Sequence, residues 1–390
     1  MSDGVADLVV VRADRNDAYD LGPGHPLLPA ARELSIELAD AAGILSGAGV
    51  RQTVAEPADE DAITAVHAPA YVAAVKRYAA EPIMAATPEA GLWGLSPGGD
   101  TPAFAGMHNA AAAVCGASVE AARAVWEGDA RRAFAPQGGL HHAFANRAAG
   151  FCIYNDPAVA IAWLLANGAE RVAYVDIDVH HGDGVQWIFY EDPRVLTCSV
   201  HESGQTLFPG TGGIAERGVG PGAGLSVNIP LPAFSGTVPY LRAIEEVIVP
   251  AVTAFRPDVL VTQNGVDPHH QDPLAHLNVE MAAFPRLWEI LANLAETAAN
   301  GRWVALGGGG YNPDVLPRAY ALLAAEMAGA SVPERLPAEW LSKAEAFFER
   351  PLTGTFLGDA PIETASEIRD TANANASDTI AQAKTLNGLT

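Results

Sequence analysis

Runs such as Val259-Leu260-Val261 constrain this chain most. They are apolar without alternation, so each such strand must be covered on both faces. Strands of this kind are expected at Leu8–Arg12, Arg132–Pro136, Val172–Val179, Val195–Val200, Leu225–Ile229, Val259–Gln263 and Trp303–Leu306. Longer stretches with apolar residues at helical period are interspersed with them: Arg32–Leu45, Ala103–Trp126, Asp156–Ala166, Val238–Phe255, Ala282–Ala299 and Val315–Ala328. Strand and helix repeated in this way predict an α/β fold, a single domain built on a mostly parallel central sheet with helices on both faces. No internal repeat or linker divides it. The expected division is a main domain over residues 1–358 and a tail over 359–390, rich in Ala, Thr, Asn and Asp, that is helical or mobile.

Composition narrows the partners. The formal charge is −23, from 23 basic and 46 acidic residues, and no Lys/Arg cluster offers a groove for phosphates. Nucleic acid is therefore not an expected partner, and a cationic or neutral substrate is. Three cysteines, Cys115, Cys152 and Cys198, make neither a disulfide framework nor a Cys-based zinc site. No apolar run approaches the ~18–20 residues of a membrane span, and residues 1–7 lack the basic start of a signal peptide. A cytoplasmic protein with reduced thiols is expected.

In open α/β sheets ligands bind beyond the carboxyl ends of the strands. Four polar clusters fall there. The first runs from Tyr174 to Gly184. Period-two geometry puts Asp176, Asp178 and His180 on one face and Val175, Ile177 and Val179 on the other. Three ionisable groups on a buried strand are costly unless paired. A salt-bridge network would need Arg or Lys, and none occurs from Val172 to Pro193. A divalent cation resolves the cost, and carboxylate plus imidazole donors suit zinc, iron or manganese better than calcium.

The second cluster is Gly138-Gly139-Leu140-His141-His142-Ala143, where a glycine-led loop can turn both histidines into one pocket for proton transfer. The third, Thr262 to His270, offers Asp267 as a further ligand, or merely an Asx-turn before Pro268. The fourth, Gly307-Gly308-Gly309-Gly310-Tyr311-Asn312, lets the backbone approach a ligand and then presents one phenol. It lacks the following Lys-Ser/Thr of a phosphate loop. Tyr311 reads as a hydrogen-bond donor to a developing oxyanion, with a plain glycine turn as the alternative.

Taken with Gly150-Phe151-Cys152-Ile153-Tyr154-Asn155-Asp156 and Phe208-Pro209-Gly210-Thr211-Gly212, these clusters resemble the zinc-dependent histone deacetylase family. The likeness runs in order from Tyr19-Asp20-Leu21-Gly22-Pro23-Gly24-His25-Pro26 to Tyr311. Within the family, that first stretch and Asp272-Pro273-Leu274-Ala275-His276-Leu277 look most like the bacterial acetoin-utilisation deacetylases. The resemblance implies one Zn²⁺ per chain, with Fe²⁺ as an alternative loading, held by Asp178, His180 and Asp267. It implies His142 as general base and acid and His141 as a second, electrostatic histidine, oriented by Asp183 and Asp176 respectively. It implies Tyr311 as the oxyanion donor. Phe151 and Phe208 would wall a tunnel for a lysine stem, with Leu274 at its mouth, the Gly150 carbonyl near the scissile nitrogen and Asp100 at the rim catching peptide amides. A K⁺ site drawing on Asp176, Asp178, His180, Ser199 and Val200 is also implied.

Two departures stand out. Many members carry an arginine two residues past the proline that follows Gly24-His25-Pro26, lining an inner channel for acetate. Here that position is Ala31 and Arg32 follows, so either the register shifts or the channel differs. Val266 also stands where a smaller residue is usual before the third ligand.

The expected activity is hydrolytic removal of acetyl groups from lysine side chains of proteins or peptides, releasing acetate, with a link to acetoin or acetate metabolism. An acetylpolyamine deacetylase is the alternative, since a charge of −23 suits a polyamine equally. A dimanganese ureohydrolase would need an aspartate where His269 stands. An inactive acetyl-lysine binding module would be expected to lack Tyr311, His142 or a ligand, and none is missing.

Overall fold

A computed structural model describes residues 5–14 and 18–389. Residues 1–4 of the acidic N-terminal stretch lie outside it. Eight strands form one sheet: β1 (Ala6–Ala13), β2 (Val50–Ala55), β3 (Ala130–Ala135), β4 (Val172–Asp176), β5 (Val195–Glu202), β6 (Ser226–Leu231), β7 (Val259–Gln263) and β8 (Trp303–Leu306). Their order is β2-β1-β3-β8-β7-β4-β5-β6, and every pairing is parallel. Among the described residues, no helix is long and apolar enough to cross a membrane.

Unalternating strands are buried twice over, as the sequence requires. Along β4, Ala173 and Val175 enter one core with the helices Pro29–Ala41, Ala283–Ala298 and Leu316–Ala328. Val172 and Tyr174 enter the other core, with Met107–Trp126 and Asp156–Ala166. The sequence reading missed β2. Half of its residues are exposed and it lies at the sheet edge, so it carries no apolar run to betray it.

Register across the sheet prepares the site. Ala135 pairs with Leu306, Leu306 with Gln263, Gln263 with Asp176 and Asp176 with Ser199. Four strand ends and the mid-strand Ser199 thus form one row, although their positions range from 135 to 306. The loops leaving that row carry all four polar clusters.

One expectation needs correction. β4 ends at Asp176, not at Val179, so Asp178 and His180 lie on the following loop. The backbone amides that a ladder would use turn instead to carboxylates. Asp178 N donates to Asp176 Oδ1 (3.2 Å), Val179 N to Asp267 Oδ1 (2.8 Å) and His180 N to Asp178 Oδ1 (3.0 Å). Alternation nevertheless persists, because Ile177 and Val179 stay in the core.

The chain beyond the last strand is also ordered. Ser366–Leu386 is a helix whose Ala376, Ile380 and Ala383 join the first core. Asn373 Oδ1 accepts from Gly236 N at 2.9 Å.

Candidate active site

The loop after β3 is held from behind. Asp156, the first residue of its helix, accepts from Gly139 N (2.9 Å) and Leu140 N (2.8 Å). Asn155 caps the same helix and donates to the carbonyls of His141 (2.9 Å) and Ala143 (2.8 Å). His141 and His142 therefore project from a fixed backbone.

Each histidine has its own carboxylate. His141 Nδ1 lies 2.7 Å from Asp176 Oδ2 and His142 Nδ1 lies 2.7 Å from Asp183 Oδ1. Burial lowers His141's affinity for a proton, but Asp176 and Asp178 outweigh it and raise the pKa to about 9. Burial and the adjacent His141 charge push His142 down to about 4, against the pull of Asp183. His142 is thus the neutral member, free to accept a proton, and it is the member that lines the cavity.

Asp178, His180 and Asp267 converge from two loops and are all buried. His180 Nδ1 sits 3.0 Å from Asp178 Oδ1 and 3.2 Å from Asp267 Oδ2. Donors bonded to one ion at about 2.0–2.2 Å in a tetrahedron stand roughly 3.3–3.6 Å apart, so donors at 3.0 and 3.2 Å need spread by only a few tenths of an ångström to take a zinc-sized cation. The remaining Asp178 oxygen is oriented by Gln263 Nε2 (2.6 Å) and Gly309 N (2.7 Å). A Cβ on Gly309 would come within 1.9 Å of Asp267 Oδ2 and 2.7 Å of Asp178 Oδ2. The glycine run therefore leaves room between two carboxylates, and the residues present fit a divalent cation.

Above this group opens a cavity of about 270 Å³, lined by Asp100, His142, Gly150, Phe151, His180, Leu207, Phe208, Leu274 and Tyr311. Phe208 meets the His142 ring edge-on at 5.0 Å and Phe151 meets Tyr311 at 5.8 Å. Burial, with Asp267, Asp178 and Asp272 nearby, pushes the Tyr311 phenol well above its ordinary pKa, so it stays a donor. Asp100 is at the exposed end, where its Oδ2 accepts from Gly150 N at 3.0 Å. Ser199 is buried beside Asp176 on β5, with Oγ 2.8 Å from His201 Nδ1, and Val200 follows it into the core.

Several contributors escaped the sequence reading. Tyr19 Oη donates to Phe151 O (2.8 Å) and accepts from Ile153 N (2.9 Å), fixing the tunnel wall. Asp272 Oδ2 accepts from Tyr311 N at 2.8 Å and its Oδ1 from Leu274 N at 3.0 Å. Gln263 had appeared only as a strand end within the third cluster. Tyr19 and Asp272 stood in stretches that carried the family likeness but with no role of their own, and only the fold brings these side chains to the site. Ala31 and Arg32 are both buried, and Arg32 reaches the glycine run, its Nη2 donating to Gly308 O at 2.6 Å. With Tyr19, Leu27, Pro29, Val114, Gln137 and Leu140 it lines a small inner cavity.

Comparison with known proteins agrees with this arrangement. Residues 25–327 match the histone deacetylase domain. The chain is 44% identical over 287 residues to the acetoin utilization protein AcuC of Bacillus subtilis (strain 168), covering 73% of each chain. It is 38% identical over 288 residues to AcuC of Staphylococcus xylosus, covering 73% of this chain and 74% of that one. The crystal structure of an HDAC homolog from Aquifex aeolicus superimposes with a TM-score of 0.82 at 29% identity, over 97% of this chain and 99% of that one. An HDAC homolog complexed with SAHA gives the same score and coverage at 28% identity. By domain match, sequence and fold together, the chain belongs to the histone deacetylase family and groups with its AcuC-like members.

Proposed function

We propose that this deacetylase-family hydrolase is a zinc-dependent lysine deacetylase, removing acetyl groups from lysine side chains of proteins or peptides and releasing acetate. The observation that carries the proposal is the shared cavity: His142, His180 and Tyr311 face one space of about 270 Å³ between Phe151 and Phe208. An unbranched aliphatic stem fits between two phenyl faces, and the reacting amide then reaches the polar floor. The relatives named for acetoin utilization suggest a role in acetoin or acetate metabolism, and we place the enzyme in the cytoplasm.

Asp178, His180 and Asp267 would hold Zn²⁺, which supplies Lewis acidity toward the acetyl carbonyl and toward water. The chain's own groups do the rest. His142 takes a proton at Nε2 and later returns it to the leaving amine, while Asp183 holds Nδ1 and so fixes the tautomer. His141, kept charged by Asp176, adds positive potential at the site. Tyr311 donates its hydroxyl to the oxygen on which negative charge develops. The Gly150 carbonyl is offered to the scissile nitrogen, and Asp100 to amides of a peptide at the rim. Leu274 bounds the mouth. K⁺ is assigned to Asp176, Asp178, His180, Ser199 and Val200. Residues 1–358 are proposed as the catalytic domain.

The test is direct. The purified protein is incubated with an acetyl-lysine peptide and, separately, with acetylated polyamines, and released acetate is measured. Faster turnover of the peptide is expected. Release from polyamines alone would reassign the substrate, and release from neither would leave a binding module.

A further inference from the structure

The segment past the matched deacetylase domain reaches back to the loop that carries the third proposed metal ligand. Arg318 begins the connection. Its guanidinium is buried (1% exposed) and donates through Nη1 to the carbonyls of Thr355 (3.3 Å), Phe356 (3.2 Å) and Gly358 (2.6 Å). Those bonds deliver the next residue, Asp359, to a fixed place. Asp359 Oδ1 lies 2.9 Å from His270 Nε2, and Oδ2 lies 3.3 Å from His269 Nε2 and accepts from Met281 N at 2.8 Å.

Two imidazoles and a carboxylate could also hold a metal ion. The tautomer of His269 speaks against it. Gln271 N donates to His269 Nδ1 at 3.2 Å, so Nδ1 carries the lone pair and Nε2 the proton. A protonated Nε2 donates to Asp359 and cannot ligate an ion. The cluster is a hydrogen-bonded clamp.

What the clamp grips is the bracket of the site. Asp267 is two residues before His269. Asp272, whose amide donates to His269 O at 2.9 Å, fixes the backbone of Tyr311 and of Leu274. Displacing His269 therefore moves a metal donor, the oxyanion donor and the tunnel mouth together. We infer that Asp359 is a positioning residue of the active site, acting through His269 and His270 on the Asp267–Leu274 loop, so that the segment after the matched domain forms part of the catalytic unit. This rests on the metal assignment made above.

The experiment uses the full chain, loaded with Zn²⁺. Zn²⁺ affinity is measured by chelator competition in wild type, Asp359→Asn and Asn373→Ala, beside kcat, KM and thermal melting. Asn373→Ala removes a tail hydrogen bond to Gly236 N, which bridges to Asn278 outside the Asp267–Leu274 loop, and controls for loss of tail packing. Loss of an outer partner of a metal site typically weakens affinity ~10–100-fold, and Asp359→Asn is expected near the lower figure. Its kcat should fall with KM little changed, while Asn373→Ala keeps wild-type Zn²⁺ affinity at a comparable drop in melting temperature. Equal Zn²⁺ affinity in Asp359→Asn and wild type overturns the inference. So does an equal loss in both variants. If Asp359→Asn does not fold, His270→Gln removes one arm of the clamp, and unchanged Zn²⁺ affinity there overturns it too. A wild-type chain that binds no Zn²⁺ overturns the metal assignment itself and the inference with it.

Discussion

His141 Nε2 and His142 Nε2 stand 3.0 Å apart, with the two rings 4.0 Å between centroids. Each Nδ1 faces a carboxylate and donates to it. Two bare Nε2 lone pairs at that distance would repel, so one proton lies between them. Asp176 and Asp178 assign it to His141. The pair is thus one cation and one base, and their unequal surroundings make the difference.

That asymmetry predicts the outcome of removing each ring. His142→Ala should lower kcat by roughly 10²–10⁴-fold, the usual cost of losing a general acid–base, with metal content unchanged. His141→Ala should cost less in kcat. The roles are reversed if steady-state assays show full kcat for His142→Ala and a large defect for His141→Ala.

Metal content tests the three converging donors. Elemental analysis should find one transition-metal ion per chain, and a strong chelator should abolish activity. Asp178→Ala should lose the ion. Gly309→Ala should lose it as well without altering charge, because the new Cβ would lie against Asp267 Oδ2. Two ions per chain would overturn the single-ion assignment, and with it the account of His269, His270 and Asp359 as a hydrogen-bonded clamp.

Tyr311→Phe keeps the ring against Phe151 and deletes only the hydroxyl. An oxyanion donor of this kind is worth roughly 10²–10³-fold in kcat, so that fall is expected with KM nearly kept. The variant should retain its metal. Near-normal kcat in the same assay would sink the assignment.

Stability should depend on His67, which lies behind the catalytic loop. His67 is buried, its Nδ1 lies 3.1 Å from Phe144 O and its Nε2 accepts from Asn155 N at 2.9 Å. Burial lowers its pKa to about 4, against the Phe144 and Ala145 carbonyls. Below about 6.5 the unfolded chain takes up a proton that the folded chain refuses, so stability falls as pH drops from 6.5 towards 4. That gap corresponds to roughly 3 kcal/mol once the pH is below both values. Urea unfolding at pH 7 and pH 4.5 should show a smaller acid loss for His67→Gln than for wild type. Equal losses would remove His67 from the account.

Much of this was legible in the chain itself. Unalternating strands such as Val259–Gln263 must be covered on both sides by helices whatever the final topology, because burial is the only stable fate of such a run. The alternation from Val175 to His180 separates carboxylates and imidazole from Ile177 and Val179 even where the strand has given way to a bend, because the apolar pair stays in the core. The family resemblance rested on such local patterns. Strand order was not local. It sets β3 beside β8, β8 beside β7 and β7 beside β4, and so brings His142, Tyr311, Asp267 and Asp178 into one space. Nor could sequence spacing bring Arg32 to Gly308, find Gln263 behind Asp178, or bring Asp359 to His269. Those contacts join residues far apart in the chain, and they form only when the whole core closes, since each depends on the packing of elements that carry no chemistry of their own.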